Sequence, residues 1–474
     1  MRDILFFILI FGSIPLILWR PWFGVIMWYW VGIMNPHRLA WGFLMHQPVA
    51  MGVGAATLLG LLLSKDRRPP PMTREVVLLT LFVLHFTVAV YFAWVPDVAW
   101  SLWEQRMKII LMTVVTLMLI WGKPKTMALL AILTLSIAFF GMKGGVHALS
   151  TGFGGMVLGP PASFIFGNTN IGLAMVMTLP LVLVLARQVH RGEFELPFKL
   201  ALYDRWHRSI GLFLYGVFWL QIASIVGTHS RGAWVGLAVI FPFIFLGMKH
   251  KLAMIMAGVL VVGVVGVTVP DKILEQYDSL VNYEEDASAQ GRFDAWWVSW
   301  NIAVENPVIG TGFGTQHLEP ALWQSYSQDP DPQGGRRAAH SIYFQVLGEG
   351  GFVGFFLWAG MIGFSMLTML RVRREARLRQ DTFWMSEWAT GLLLGLFGFL
   401  VSGAFLSLAY FDLFLAMVAA AIIMRRELDD HQEVRRTENL ANASLARRGN
   451  GNALAHRPIH RPLSAIRQQK HHSA

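Results

Sequence analysis

The stretch ATGLLLGLFGFLVSGAFL, Ala389–Leu406, decides the class of this protein. It carries no charged residue over eighteen positions. As a helix it runs about 27 Å, close to the roughly 30 Å of a bilayer's hydrocarbon core. Leu252–Val269 has the same character. The composition agrees: 55% of the 474 residues are hydrophobic and 14% are charged, against about 25% charged in a soluble domain. So few charges cannot cover a water-facing surface, which excludes a soluble enzyme and an independent nucleic-acid binder. With no cysteine, disulfides, thiolate metal sites and cysteine nucleophiles are excluded together.

Working outward, apolar stretches give spans near 3–19, 47–64, 75–95, 107–122, 126–142, 165–187, 209–228, 232–248, 251–269, 341–370, 384–405 and 407–424. The first reads as a retained anchor rather than a signal peptide, because Trp19-Arg20-Pro21-Trp22 replaces the small-residue cleavage site such a peptide needs. Pro21–Met34 is only about 21 Å long as a helix and reads as an interfacial or re-entrant piece. The expected fold is all-α, a polytopic integral membrane protein with about twelve transmembrane helices. If Pro21–Met34 crosses instead, there are thirteen crossings and the N-terminus lies outside.

The connections carry the orientation. Lys65 to Arg68, Lys123 and Lys125, Arg187 to Arg208, Lys249 to Lys251 and Arg371 to Arg379 form basic loops that alternate with non-basic ones. Lys and Arg are retained on the cytoplasmic side, which puts these loops and the tail there. Four regions follow: N-terminal helices 1–270, a large periplasmic loop 271–339, C-terminal helices 340–424 and a tail 425–474. The loop holds eleven acidic and four basic residues. The tail has ten Lys and Arg against five acids and no apolar periodicity; it reads as disordered, either simply solvated or loosely attracted to anionic membrane lipids.

Polar residues at the external mouths are the informative ones. Arg231, in Thr228-His229-Ser230-Arg231-Gly232, sits at the mouth of a span. Burying Arg in a bilayer costs about 2.5–3.5 kcal/mol on insertion scales, so it has a function there or snorkels to headgroups. Arg292 precedes Phe293, Trp296, Trp297 and Trp300, an aromatic stripe at helical spacing. The stripe reads as an amphipathic helix along the outer interface. Arg292 is expected in its first turn, where it either meets an anion or pairs with one of the loop's acids. His340 opens the next span, where the helix dipole lowers an imidazole's pKa and leaves a competent base. Arg336 and Arg337 precede it and either lower that pKa further or help hold phosphate. Glu349 is half a turn out of phase with His340 and reads as structural support.

Asn168 and Asn170 are placed to bond sugar hydroxyls or to cap a helix. His85 reads as a packing histidine, and Asp329 and Asp331 as turn residues. Gly310-Thr311-Gly312-Phe313-Gly314 lacks a following Lys and is no phosphate loop; it reads as a tight turn permitting close approach of a backbone or ligand.

In order, the chain presents Ser230-Arg231-Gly232-Ala233, Gly291-Arg292 with Trp296, Asn306-Pro307-Val308-Ile309-Gly310-Thr311-Gly312, and His340-Ser341 with Leu347, Glu349 and Gly354. This series, from about Phe164 to Gly354, resembles the shared region of O-antigen ligases and O-antigen polymerases. Met1 to Phe43, with Trp19-Arg20-Pro21-Trp22-Phe23-Gly24 and Asn35-Pro36-His37-Arg38, resembles the subgroup of probable O-glycosylation ligases of exosortase-A systems.

The resemblance implies a glycosyltransferase of the bacterial inner membrane with its active site facing the periplasm. Its donor would be a glycan on undecaprenyl pyrophosphate, and it would need no metal, nucleotide or other cofactor. Arg231 and Arg292 match the family's arginines that engage the pyrophosphate, and His340 matches the base that deprotonates the acceptor in an inverting displacement. The acceptor is lipid A-core, protein or another surface glycan; a polymerase would use a second lipid-linked repeat. A reading of another class is a flippase or exporter of lipid-linked sugars, against which stands the absence of an internal repeat.

Overall fold

The computed structural model describes residues 2–40, 42–198, 200–247, 287–328 and 337–449. Among these the regular structure is helical, apart from an isolated bridge between Gly159 and Gly167. The fold is thus all-α, as expected. Among the described residues, seven helices are long and apolar enough to cross a membrane: Arg2–Trp19, Arg74–Tyr91, Lys123–Ser150, Asn168–Arg191, Ala201–Gly227, Ile342–Ala376 and Phe383–Gly403. Pro21–Met34, Val49–Leu63 and Arg231–Leu246 are shorter apolar helices. The span expected at 251–269 and the loop's 271–286 lie outside the described residues, as do Asp329 and Asp331.

We label the helices α1 (Arg2–Phe11), α2 (Ile14–Trp19), α3 (Pro21–Tyr29), α4 (Val49–Leu63), α5 (Arg74–Tyr91), α6 (Pro96–Leu119), α7 (Lys123–Ser150), α8 (Asn168–Arg191), α9 (Ala201–Gly227), α10 (Arg231–Leu246), α11 (Ala287–Glu305), α12 (Pro320–Tyr326), α13 (Ile342–Ala376), α14 (Phe383–Gly403) and α15 (Asp412–Gly449). The chain divides into two units, Met1–Glu427 and Leu428–Ala474. The second is described through the last turns of α15, to Gly449. Those turns are helical where disorder was expected; Glu, Arg, Leu and Ala dominate them, and all are strong helix formers. The rest of the tail lies outside the described residues.

α8 forms the middle of the first unit, with almost every residue from Ile171 to Val189 buried. Small residues let its neighbours approach: a Cβ at Gly172 would meet Ala233 at 2.8 Å, and one at Gly391 would meet Leu181 at 2.9 Å. Close packing at small residues drives helix association where lipid offers no hydrophobic gain.

The first helices correct the reading of Pro21–Met34. Cβ atoms built at Gly60, Gly24 and Gly54 would meet Pro21 at 3.2 Å, Thr57 at 2.3 Å and Trp28 at 2.9 Å. Pro21 is therefore level with Gly60, and Trp28 with Gly54. The segment lies lengthwise and antiparallel against α4 rather than re-entering at one end. Asp3 Oδ1 accepts hydrogen bonds from Gly42 N at 3.1 Å and Leu44 N at 3.4 Å. This brings the start of α1 to the end of the bundle where α4 begins.

The described basic loops collect at the other end, while Lys249 to Lys251 lie outside the described residues. Lys125 Nζ pairs with Asp66 Oδ2 at 2.9 Å, and Arg68 N donates to the Met118 carbonyl. Arg191 pairs with Glu387, and Arg425 with Glu375.

Candidate active site

The opposite end gathers the polar residues singled out above. Ser230 caps α10, its hydroxyl accepting from Ala233 N at 3.3 Å, which makes Arg231 the first residue of that helix. Arg231 is half-buried. His229, in the left-handed region at φ +53, reaches the Phe153 carbonyl at 2.9 Å. Asn168 Nδ2 donates to the Thr228 carbonyl at 3.0 Å. The mouth between α7, α8, α9 and α10 is thus tied by side chain-to-backbone bonds. Asn170 lies in the first turn of α8, and its Nδ2 donates to the Phe164 carbonyl at 3.1 Å.

His340 does not lie in a helical turn. α13 begins at Ile342 with Ser341 as its N-cap, and His340 precedes the cap at φ +44. A non-glycine residue in this region is held at a cost of about 1–3 kcal/mol, a strain that recurs at functional sites. The residue remains exposed. Its pKa is lowered, first by desolvation and then by the charges of Arg292 and Arg337. The expected direction is present, but partial desolvation and the two arginines produce it, not the helix dipole.

Arg292 lies in the second turn of α11, not the first. The aromatic stripe is split. Phe293, Trp297, Trp300 and Val304 are 39–54% exposed and share one outward face, fit for an interface with headgroups. Trp296 turns inward: its ring stacks on Phe344 with centroids 5.1 Å apart, and its Nε1 donates to the Ala339 carbonyl at 2.6 Å. Beneath them Ala295, Val298 and Ile302 pack with Leu318 and Trp323 in a core of their own. Trp296 therefore fixes the backbone immediately before His340.

Arg337 lies against α11 at Gly291, where a Cβ would sit 1.7 Å from its Nη1. Arg292, Arg337 and His340 form one cluster at the junction of α11 and α13. Arg231 shares this end of the bundle across the end of α14. A Cβ at Gly232 would meet Phe405 at 3.1 Å, and a Cβ at Gly403 would meet Ile342 at 2.5 Å. Arg336 lies outside the described residues.

Glu349 is buried, well below His340 along α13. Its Oε1 accepts from Gly314 N at 3.0 Å, and its Oε2 lies 3.6 Å from Arg106 Nη1. Sequence reasoning missed Arg106, which fell in the connection between the spans expected at 75–95 and 107–122. The helical period was the available signal: Ala99, Arg106, Ile110 and Thr113 fall on the face that α6 buries, while Glu104, Gln105 and Lys108 are turned away from it.

The glycine-rich turn docks a backbone, as its sequence implied. A Cβ at Gly310, itself at φ +57, would lie 2.4 Å from the Gly348 carbonyl oxygen. Thr311 N donates to that carbonyl at 3.0 Å. His85 is a hydrogen-bonded packing residue, with Nε2 2.9 Å from the Gly350 carbonyl.

Chemically, this end offers two guanidiniums beside an exposed ring whose pKa partial desolvation and their charges lower, and a third guanidinium at a helix start. Arginines hold phosphate oxygens in paired hydrogen bonds, and a neutral imidazole accepts a proton.

Residues 216–359 match a family model described as O-antigen ligase, and residues 1–190 match a family of unknown function, DUF5935. No curated protein matches the chain. Arg231, Arg292, Arg337 and His340 all fall in the first of these regions, so the candidate site lies within the stretch, residues 216–359, that matches the O-antigen ligase family model.

Proposed function

We propose that this membrane protein transfers a glycan from undecaprenyl pyrophosphate to an acceptor hydroxyl at the periplasmic face of the inner membrane. The cluster of Arg292 and Arg337 around His340 carries this reading. It lies at the end of the bundle opposite the basic loops, and basic loops remain cytoplasmic. The O-antigen ligase domain supports the reaction class.

His340 takes the proton of the acceptor hydroxyl as its oxygen attacks the anomeric carbon. The bond from that carbon to the pyrophosphate oxygen breaks, and the electron pair leaves with the pyrophosphate. Arg231, Arg292 and Arg337 neutralise charge on the departing group, an electrostatic effect that grows as the bond breaks. Asn170 lies at the same end and contributes to sugar binding. The residues supply a base and cations, so the reaction runs without metal or nucleotide. A surface molecule is the acceptor, in keeping with the N-terminal resemblance to O-glycosylation ligases.

The test supplies purified protein in detergent and EDTA with a labelled lipid-linked glycan, and identifies what becomes labelled. Release of undecaprenyl pyrophosphate with label on an acceptor supports a ligase. Label extending only the lipid-linked glycan indicates a polymerase. Activity that requires a sealed membrane indicates a flippase.

A further inference from the structure

α13 is two helices in one. Its backbone breaks at Gly351, where φ is +62 and ψ is −168. The break divides a short segment, Ile342–Gly350, from the long helix that follows. His340 stands at the head of the short segment and Glu349 near its foot. A helix end leaves carbonyls without intrahelical partners, and here other elements bond them: Thr311 N and Oγ1 reach Gly348 O, and His85 Nε2 reaches Gly350 O. On the far side of the break, Phe352 N donates to Pro307 O at 2.8 Å.

The foot of this segment is held by charge. Glu349 is 2% exposed, and Arg106, from α6, is its ion-pair partner. The Arg106 guanidinium is centred 3.8 Å from the Phe313 ring and 4.1 Å from the Tyr410 ring. Phe313 stacks in turn on Phe86 of α5, with centroids 4.6 Å apart. The same Glu349 carboxylate holds Gly314 N through Oε1. One buried carboxylate thus joins α6, the 306–314 loop that follows α11, and the segment that carries His340.

We propose that Arg106 is a positioning residue for the transfer reaction, holding Glu349 so that the Ile342–Gly350 segment keeps His340 beside Arg292 and Arg337. The inference rests on the ligase reading for its kinetic consequence. Arg106 belongs to the N-terminal stretch matched only to a family of unknown function. That stretch then supplies the counter-charge that completes a site in the O-antigen ligase domain. The two ends of the short segment are pinned differently. Trp296 holds the backbone at its head through the Ala339 carbonyl, and the ion pair holds its foot.

Arg106→Met alone strands a buried carboxylate and risks misfolding. The decisive variant is therefore Arg106→Met with Glu349→Gln, which removes both charges and keeps an amide oxygen to accept from Gly314 N. Its kcat should fall at least tenfold with the donor KM within about twofold of wild type, at a Tm close to wild type. The acid limb of its pH profile should move up toward the range of an ordinary histidine, because His340 moves away from Arg292 and Arg337. Hydrogen exchange should quicken over Ile342–Gly350 and stay unchanged in α8. A double variant with wild-type kcat, pH profile and exchange would overturn the proposal and leave the pair a purely structural one. The exchange measurement needs no substrate, so it tests the positioning even where wild-type protein transfers nothing and the ligase reading itself fails.

Discussion

The Arg337 guanidinium rests on Gly291: a Cβ built on that glycine would sit 1.7 Å from Nη1 and 2.4 Å from Cζ. The second cation beside His340 thus depends on a missing side chain in the neighbouring helix. Gly291→Ala should displace Arg337, a flexible side chain that can swing aside, without unfolding the protein. Within α11, Ala exceeds Gly in helix propensity by about 0.8–1.0 kcal/mol. The expected result is a Tm equal to or above wild type with several-fold weaker donor use. Parallel thermal melts and donor-turnover assays check it.

The pH dependence has a defined sign. Catalysis needs the neutral ring, and partial desolvation with Arg292 and Arg337 lowers the His340 pKa below its ordinary value of 6.5. Transfer should hold its full rate at pH 7 and fall only on acidification below the ordinary histidine range. Arg337→Gln removes one repelling charge, so its acid limb should lie at higher pH than that of wild type. Rate measurements across about pH 4.5–8, chosen to bracket about 6.5, resolve the two.

Arg231→Ala and Arg292→Ala should each weaken use of the donor at least about tenfold, since a hydrogen bond to a charged group contributes about 1.5–3 kcal/mol. Lys should rescue poorly at either position, because it lacks the two-pronged geometry of guanidinium. Steady-state kinetics with varied donor check both. Normal turnover by both alanine variants in well-folded protein removes the phosphate assignment.

Gly310→Ala tests the docked turn. The residue sits at φ +57 with its Cβ position 2.4 Å from the Gly348 carbonyl oxygen. Left-handed backbone at a non-glycine residue costs about 1–3 kcal/mol, and here the clash is with backbone that cannot swing aside. A fall in Tm is expected together with loss of transfer, read by melting and activity in the same preparation. Gly363→Ala, at a glycine with nothing within 4 Å, should change neither.

The membrane class and the all-helical fold were legible because lipid imposes composition on a sequence: runs such as Ala389–Leu406 have few other uses. The basic loops were legible for a similar reason, and those among the described residues do collect at one end. The first crossings were not. Pro21–Met34 is short, and only its packing against Gly60, Thr57 and Gly54 reveals its direction. Arg231, Arg292 and His340 stood out as charged or polar groups at the external mouths, with Arg337 noted beside His340, and the structure brings Arg292, Arg337 and His340 together. Trp296 was grouped with its exposed neighbours because spacing gives a helical face but not its partner, and Phe344 is far away in sequence. Arg106 escaped notice because its value lies in Glu349, which no local pattern connects to it.

The most direct test of the proposed mechanism is the rate of a single turnover by His340→Gln with donor and acceptor saturating, alongside donor binding by the same protein. Gln preserves hydrogen bonding but cannot accept a proton at neutral pH. General-base catalysis contributes about 10²–10⁴-fold, so a loss of that size is expected with donor binding intact. A fully active His340→Gln enzyme would contradict the mechanism and leave His340 a residue of the turn before α13, with no part in the chemistry.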